Sequence, residues 1–162
     1  MLRPPQTFAG RLTALFLITA ASAVLLLTAC TNTDCIGSDV DITEYLAARD
    51  SLGQAAELQG LYYIIDAPGD TVRPQLTDTV LVTYRGTLTD AEETVFDETG
   101  EVPVAFLLND LIAGWQIGLP LIGQGGSIRL FVPSRLAYAS SQAGNLCPGS
   151  DIVFDIDLLR VR

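Results

Sequence analysis

The residues of this chain that could do chemistry are rings rather than acid–base pairs. Trp115 is the only tryptophan. It is set between Gly114 and Gly118, and Tyr84, Phe96, Tyr138 and Phe154 stand on the segments to either side. A short helix carrying Trp115 would close over a hollow lined by those four rings. The chain has no histidine, which removes Ser-His and Cys-His nucleophile pairs, a histidine base and mixed Cys/His zinc sites. Chemistry in such a hollow must do without the usual neutral-pH proton shuttle. Glu92 and Glu93 read as a solvated loop, since adjacent carboxylates do not converge on one substrate. Gly123-Gln-Gly-Gly126 is not a phosphate loop, because no lysine follows it. Neither a metal nor a cofactor is expected.

The elements that must position the rings follow from hydrophobic period. Thr79 to Leu88 alternates, with Val80, Val82 and Tyr84 on one face and Leu81, Thr83 and Arg85 on the other. Leu61 to Ile65 and Thr94 to Asp97 read as strands, as do Val104 to Leu108 and Ser127 to Val132. Asp151 to Val161 closes the set, with Ile152, Phe154, Ile156 and Leu158 on one face. Asn109 or Asp110 caps a helix from Leu111 to about Gly118, and the glycines at 123–126 form a tight hairpin. A first amphipathic helix runs from Asp41 to about Ser51, with Thr43 as its N-cap and Gly53 as its stop. Five or more mostly hairpin-linked strands and one central helix predict an α+β fold, a curved antiparallel sheet wrapped around a short helix.

At 162 residues and 49% apolar, the chain is one globular domain plus accessories. Residues 1–29 read as an export signal, with Arg3 and Arg11 before an apolar run from Leu12 to Leu27. Small residues at Thr28 and Ala29 precede Cys30 in the manner of the bacterial lipobox, which makes Cys30 the acylated N-terminus. Residues 30–57 are then a lipid-anchored tether and short helix, and 58–162 the working domain. Beyond residue 30, seven arginines stand against nineteen acidic residues, a net charge of −12. That surface repels phosphate backbones, so nucleic acid is excluded as a partner. With Cys30 lipidated in an oxidising space, Cys35 and Cys147 form an even pair that suggests a disulfide; two free thiols are the alternative.

Several motifs in order carry a resemblance. Val82-Thr-Tyr84-Arg-Gly86, Val95-Phe96-Asp97, Ile112-Ala-Gly-Trp115-Gln-Ile-Gly118, Leu136-Ala-Tyr138 and Val153-Phe154-Asp-Ile-Asp-Leu-Leu159 resemble the FKBP-type peptidyl-prolyl cis-trans isomerases. The similarity runs from about Gly60 to the C-terminus. It implies that Trp115 is the floor on which a proline ring rests, with Tyr84, Phe96 and Phe154 as walls. It implies also that the Ile112 N–H, beside Leu111, bonds a substrate carbonyl, that the Tyr138 hydroxyl reaches the ligand and that Asp97 lies at the pocket edge. Val104 falls where the family has a larger wall residue, and Leu146 matches an apolar lip. Ala139 stands where the family has glycine, and the short segment from Thr99 to Pro103 lacks the arginine that pairs with the aspartate.

The function implied is rotation of X-Pro bonds in exported proteins by a membrane-anchored monomer of the bacterial cell envelope, acting on proline-containing polypeptides. Its alternative is a catalytically weak proline-peptide-binding module or chaperone using the same pocket. Histidine is not needed for that job. Amide resonance sets a rotational barrier of about 18–20 kcal/mol, no bond is broken, and a dry aromatic pocket with fixed dipoles favours the twisted amide over the charge-separated planar one.

Overall fold

Seven strands form among the described residues, most of them from runs of β-branched and aromatic residues. The computed structural model describes residues 35–38 and 40–162. It places β1 at Ala56–Leu58, β2 at Leu61–Ala67, β3 at Thr79–Leu88, β4 at Val95–Glu98, β5 at Val104–Leu107, β6 at Gly126–Val132 and β7 at Ile152–Val161. The export signal, the lipobox and Cys30 lie outside the described residues.

Every strand pairing is antiparallel. The order is β1-β2-β6-β7-β3-β4, with β5 also paired to β3. β7 runs along the whole of β3, while β4 pairs with residues 85–87 and β5 with residues 79–82 of its other edge. This is the α+β sheet expected from the hydrophobic period.

Two short helices cover the two faces of the sheet. Helix α2, Ala113–Gly118, buries Trp115 against Val82, Leu130, Phe154 and Ile156 in the larger core. Its glycines are steric necessities, although glycine weakens a helix. A Cβ on Gly114 would stand 2.5 Å from Val132, and one on Gly118 2.6 Å from Leu130, so α2 lies directly on β6. Helix α1, Ile42–Ala48, packs Ile42, Tyr45 and Leu46 on Phe131 and Val153. The period-2 alternation of β6 and β7 serves both cores: Leu130 and Phe154 point to α2, Phe131 and Val153 to α1.

The structure corrects four local expectations. Asp41, not Thr43, caps α1, its carboxylate accepting from the Thr43 and Glu44 N–H groups. The helix ends at Ala48, because Asp50 takes φ +55° and the Asp50 and Ser51 N–H groups turn back to the Ala47 and Leu46 carbonyls at 3.2 and 2.9 Å, while Arg49 packs over the Tyr45 ring at 3.7 Å and pairs with Glu93 at 3.2 Å. Neither Asn109 nor Asp110 caps α2: both sit in a 3-10 turn at Leu108–Asp110, and the helix starts from Ile112 without a side-chain cap. The glycines at 123–126 do not link two strands directly. They follow a second 3-10 turn, Leu119–Leu121, and interlock with the β2–β3 loop, Gly123 N–H donating to the Pro68 carbonyl and Asp70 N–H to that of Gln124. A Cβ on Gly123 would overlap the Asp70 carbonyl oxygen.

Among the described residues, no helix is long and apolar enough to cross a membrane, and no group of three or more His, Cys, Asp or Glu could hold a metal ion.

Candidate active site

β3 and β7 deliver their rings to one place because Tyr84 pairs with Ile156 in the sheet, with Phe154 two positions along. The connection from β5 then turns α2 back over that spot. The result is a cavity of about 170 Å³ lined by Tyr84, Asp97, Phe106, Leu111, Ile112, Trp115, Tyr138 and Phe154. Trp115 is 3% exposed, yet its ring borders the opening. It is fixed edge-to-face by Tyr84 and Phe154, each at 5.2 Å between centroids, and by Phe106 at 6.3 Å. Its indole N–H is the one buried side-chain polar group among the described residues without a hydrogen-bond partner. Ring contacts, not a hydrogen bond, hold the indole in place.

Three polar groups converge on this apolar cup. The Tyr84 hydroxyl donates to Asp97 Oδ2 at 2.7 Å. Burial, and then that bond to a carboxylate, push the Tyr84 hydroxyl well above its ordinary pKa of 10. The Tyr138 hydroxyl is also raised, by burial first and then by the Asp97 charge, and it has no hydrogen-bond partner among the described residues. The Ile112 N–H likewise donates to none of them, while its carbonyl accepts from Trp115 and Gln116. Gln116 holds the approach to α2 by donating to the carbonyls of Asn109 and Leu111, at 3.0 and 2.7 Å. Among the described residues, no arginine pairs with Asp97. Thr99 exchanges hydrogen bonds with the Tyr84 main chain, and this closes the turn beside the Tyr84–Asp97 pair.

The structure places the remaining sequence candidates differently. Phe96 stands outside the cup: its ring meets Phe154 edge-on at 5.6 Å, and it lines an adjoining hollow of about 290 Å³ with Asp97, Tyr138, Ala143, Gly144 and Asn145. Val104 is outside the lining. It lies two residues before Phe106 on β5, opposite Val82, so Phe106 supplies the aromatic wall. Period-2 spacing in Val104-Ala-Phe106 contained that signal. Leu146 is not a lip but a core residue, 2% exposed, drawn inward by bridges to Ile36 and Ala143.

The loop bearing Tyr138 is clamped at its far end. Cys35 and Cys147 are joined by a disulfide with 5.0 Å between their Cα atoms. Beside it, Ile36 N–H donates to the Asn145 carbonyl and Cys147 N–H to that of Ile36, both at 2.7 Å. At the near end Ala139 adopts φ +51°, a left-handed conformation that costs an L-residue roughly 1–2 kcal/mol. The conformation is imposed: Ala139 N–H donates to the Ser134 carbonyl and its own carbonyl accepts from Gly149. Ala139→Gly is therefore expected to raise stability by about 1 kcal/mol, read as a higher midpoint in urea with an unchanged slope.

Comparison with known proteins agrees with this geometry. A family model described as FKBP-type peptidyl-prolyl cis-trans isomerase matches residues 70–159. The chain is similar to the FKBP-type peptidyl-prolyl cis-trans isomerase FkpA of Aeromonas hydrophila, 40% identical over 123 residues, which are 74% of this chain and 45% of that protein. It is similar also to FkpA of Escherichia coli strain K12, 40% identical over 103 residues, 64% of this chain and 38% of that protein. The chain thus spans less than half the length of these curated relatives. Among solved structures, the crystal structure of FkpA from Escherichia coli aligns with a TM-score of 0.67 at 36% identity, covering 74% of this chain and 57% of that one. A peptidyl-prolyl cis-trans isomerase from Pseudomonas syringae pv. tomato aligns with a TM-score of 0.61 at 30% identity, covering 77% of this chain and 98% of that one.

Proposed function

The chain belongs to the FKBP-type peptidyl-prolyl cis-trans isomerase family, and from that premise we propose that it speeds rotation of X-Pro bonds in exported polypeptides while held to a bacterial membrane by a lipid on Cys30. The observation that carries the reading is an indole at the base of an open cup walled by Tyr84, Phe106 and Phe154. A pyrrolidine ring seats on that floor. The Ile112 N–H holds the carbonyl on one side of the proline, and the Tyr138 hydroxyl reaches one on the other.

Removing water from around the amide disfavours its charge-separated planar form, and donors already in place stabilise the twisted one. Asp97, occupied by the Tyr84 hydroxyl, orients rather than transfers protons. Leu111 supports the Ile112 wall and Phe96 backs Phe154. The strained Ala139 beside Tyr138 favours a second reading, in which the same pocket binds proline peptides with little turnover.

A protease-coupled assay on a short X-Pro-Phe peptide separates the two. Isomerase action requires acceleration that falls in Tyr138→Phe and Asp97→Ala. Binding seen in Trp115 fluorescence without acceleration supports the second reading. For the anchor, the mass of the N-terminal peptide purified from membranes must exceed that of its sequence from Cys30 by acyl groups; an unmodified peptide retaining residues 1–29 contradicts it.

The pH dependence follows from the same groups. Both cavity tyrosines have raised pKa values, so they hold their protons and their contribution is lost only as pH climbs past about 10. With no histidine present, kcat/KM should be flat from about pH 6 to about pH 9. A bell-shaped profile with a limb near neutrality would point to a proton carrier and against this mechanism.

A further inference from the structure

β5 is an edge strand whose outer side no described strand covers. Thr79 exchanges both main-chain hydrogen bonds with Arg162, at 2.8 and 2.9 Å. Bonding direction alternates along an antiparallel ladder, so Thr79 and Leu81 turn their main chain toward β7, and Val80 and Val82 turn toward β5. The bond from Leu108 N–H to the Asp78 carbonyl, at 3.0 Å, fits this alternation. Phe106 sits opposite Val80 and Val104 opposite Val82, so those two bond inward. Ala105 and Leu107 direct N–H and C=O away from the sheet, where no described strand meets them.

Edges of this kind are normally guarded by charge, proline or a bulge, because unpaired main chain templates another strand. The edge strand at the opposite end, β1, carries Glu57. β5 itself carries no charge; Pro103 guards only its start, and exposed apolar side chains stand along and beside the rest, Val102 at 71%, Leu76 at 49%, and Val104 and Leu107 at 38% each. The edge is also continuous with the site, since Phe106 of this strand walls the cavity.

We propose that β5 is a docking edge for client polypeptide. An extended, apolar, non-acidic segment of unfolded chain adds beside Val104–Leu107, exchanges main-chain hydrogen bonds with Ala105 and Leu107, and delivers a neighbouring proline to the cup. Strand addition supplies affinity through main-chain bonds that any sequence can make, with alternate side chains setting preference. The acidic net charge of the chain selects against acidic segments. The inference rests on the isomerase reading and adds to it where a protein substrate, as opposed to a short peptide, is gripped.

Two variants test it. Ala105→Pro removes an outward donor without taking a bond from the β3–β5 ladder, and Leu107→Lys places a guarding charge on the edge. Each is assayed on a short X-Pro-Phe peptide and on proline-limited refolding of a urea-unfolded reporter whose proline is flanked by apolar residues. Both should keep peptide activity within about twofold and lose about tenfold or more in kcat/KM on the unfolded protein, mainly through KM.

Equal activity of the variants and the unaltered protein on both substrates overturns the proposal. So does a concentration-dependent dimer that Leu107→Lys dissociates, since a second copy would then occupy the edge. If the unaltered protein is inert on the peptide, the isomerase reading fails first. Docking is then decided by binding of the unfolded reporter, which both variants must still weaken about tenfold.

Discussion

Phe154→Ala is expected to cost about 3–5 kcal/mol of stability and to bring isomerisation to the uncatalysed rate. Phe154 is 3% exposed, and its ring meets those of Trp115, Phe96 and Tyr84 at 5.2, 5.6 and 5.9 Å. Deleting it removes a wall of the cup and the support of the indole floor in one step. Loss of activity through unfolding is distinguished by Phe154→Leu, which keeps most of the buried volume and should cost under about 2 kcal/mol. That variant retains the fold but loses the flat wall, so kcat/KM should fall by about tenfold or more. Urea unfolding and peptide assays on the pair give the answer. A folded Phe154→Leu protein with undiminished activity would mean that the cup is ordinary core.

Removing the Cys35–Cys147 bridge carries the second large effect. It spans a sequence separation of 112, and a loop of that length contributes close to 4–5 kcal/mol in the chain-entropy model. In the Cys35→Ser, Cys147→Ser double variant the loss should appear in urea melts as a large drop in midpoint. Because the bridge also pins the loop that carries Tyr138, peptide binding should weaken in the variant even under conditions where it stays folded. A midpoint unmoved by the double substitution, or by reductant, would contradict the clamp.

The legibility of the fold differed from element to element for physical reasons. β3 and β7 are long and alternate through the site, and their regular register from Val82 to Leu88 brings Tyr84 and Phe154 together, with the irregularity confined to the Leu81/Val82 end. β1, with three exposed residues, leaves almost no periodic trace. Caps were harder to read. Threonine and aspartate can both cap a helix, and Asp41 takes the place because its carboxylate reaches two free N–H groups, those of Thr43 and Glu44. Asn109 and Asp110 look like caps but are spent in a tighter turn.

The Cys35–Cys147 bridge was legible from cysteine count, but polar side-chain contacts between distant segments left no such trace. Glu93 belongs to an acidic run that reads as solvated, yet it accepts from the Tyr45 hydroxyl at 2.8 Å and ties α1 to the turn before β4. That bond, then Arg49, holds the Glu93 carboxyl below the usual range. In turn, burial and then Glu93 push the Tyr45 hydroxyl up to about 12. The Glu93 contribution is thus present above its unfolded pKa and lost as pH falls through the lower folded one.

The site was clearer than its rim. Residues aimed inward from long strands or from α2, namely Tyr84, Trp115 and Phe154, took their places from hydrophobic period and motif together. Val104 and Leu146 sit on short or looped segments, where a two-residue step along one strand face or one inward bridge changes which side chain meets the cavity. Phe106 shares the face of Val104 by period-2 spacing and proved to be the wall, while Gln116 emerged only from packing, as a brace on the turn that presents Ile112.

The most direct measurement is exchange NMR of a short X-Pro-Phe peptide with catalytic amounts of the protein, run in H2O and D2O at several pH values. An aromatic cup that twists the amide without a proton carrier predicts cis–trans exchange well above the free-peptide rate, nearly equal in the two solvents and flat from about pH 6 to about pH 9. Exchange at the free-peptide rate, under conditions where Trp115 fluorescence reports the peptide bound, would contradict it.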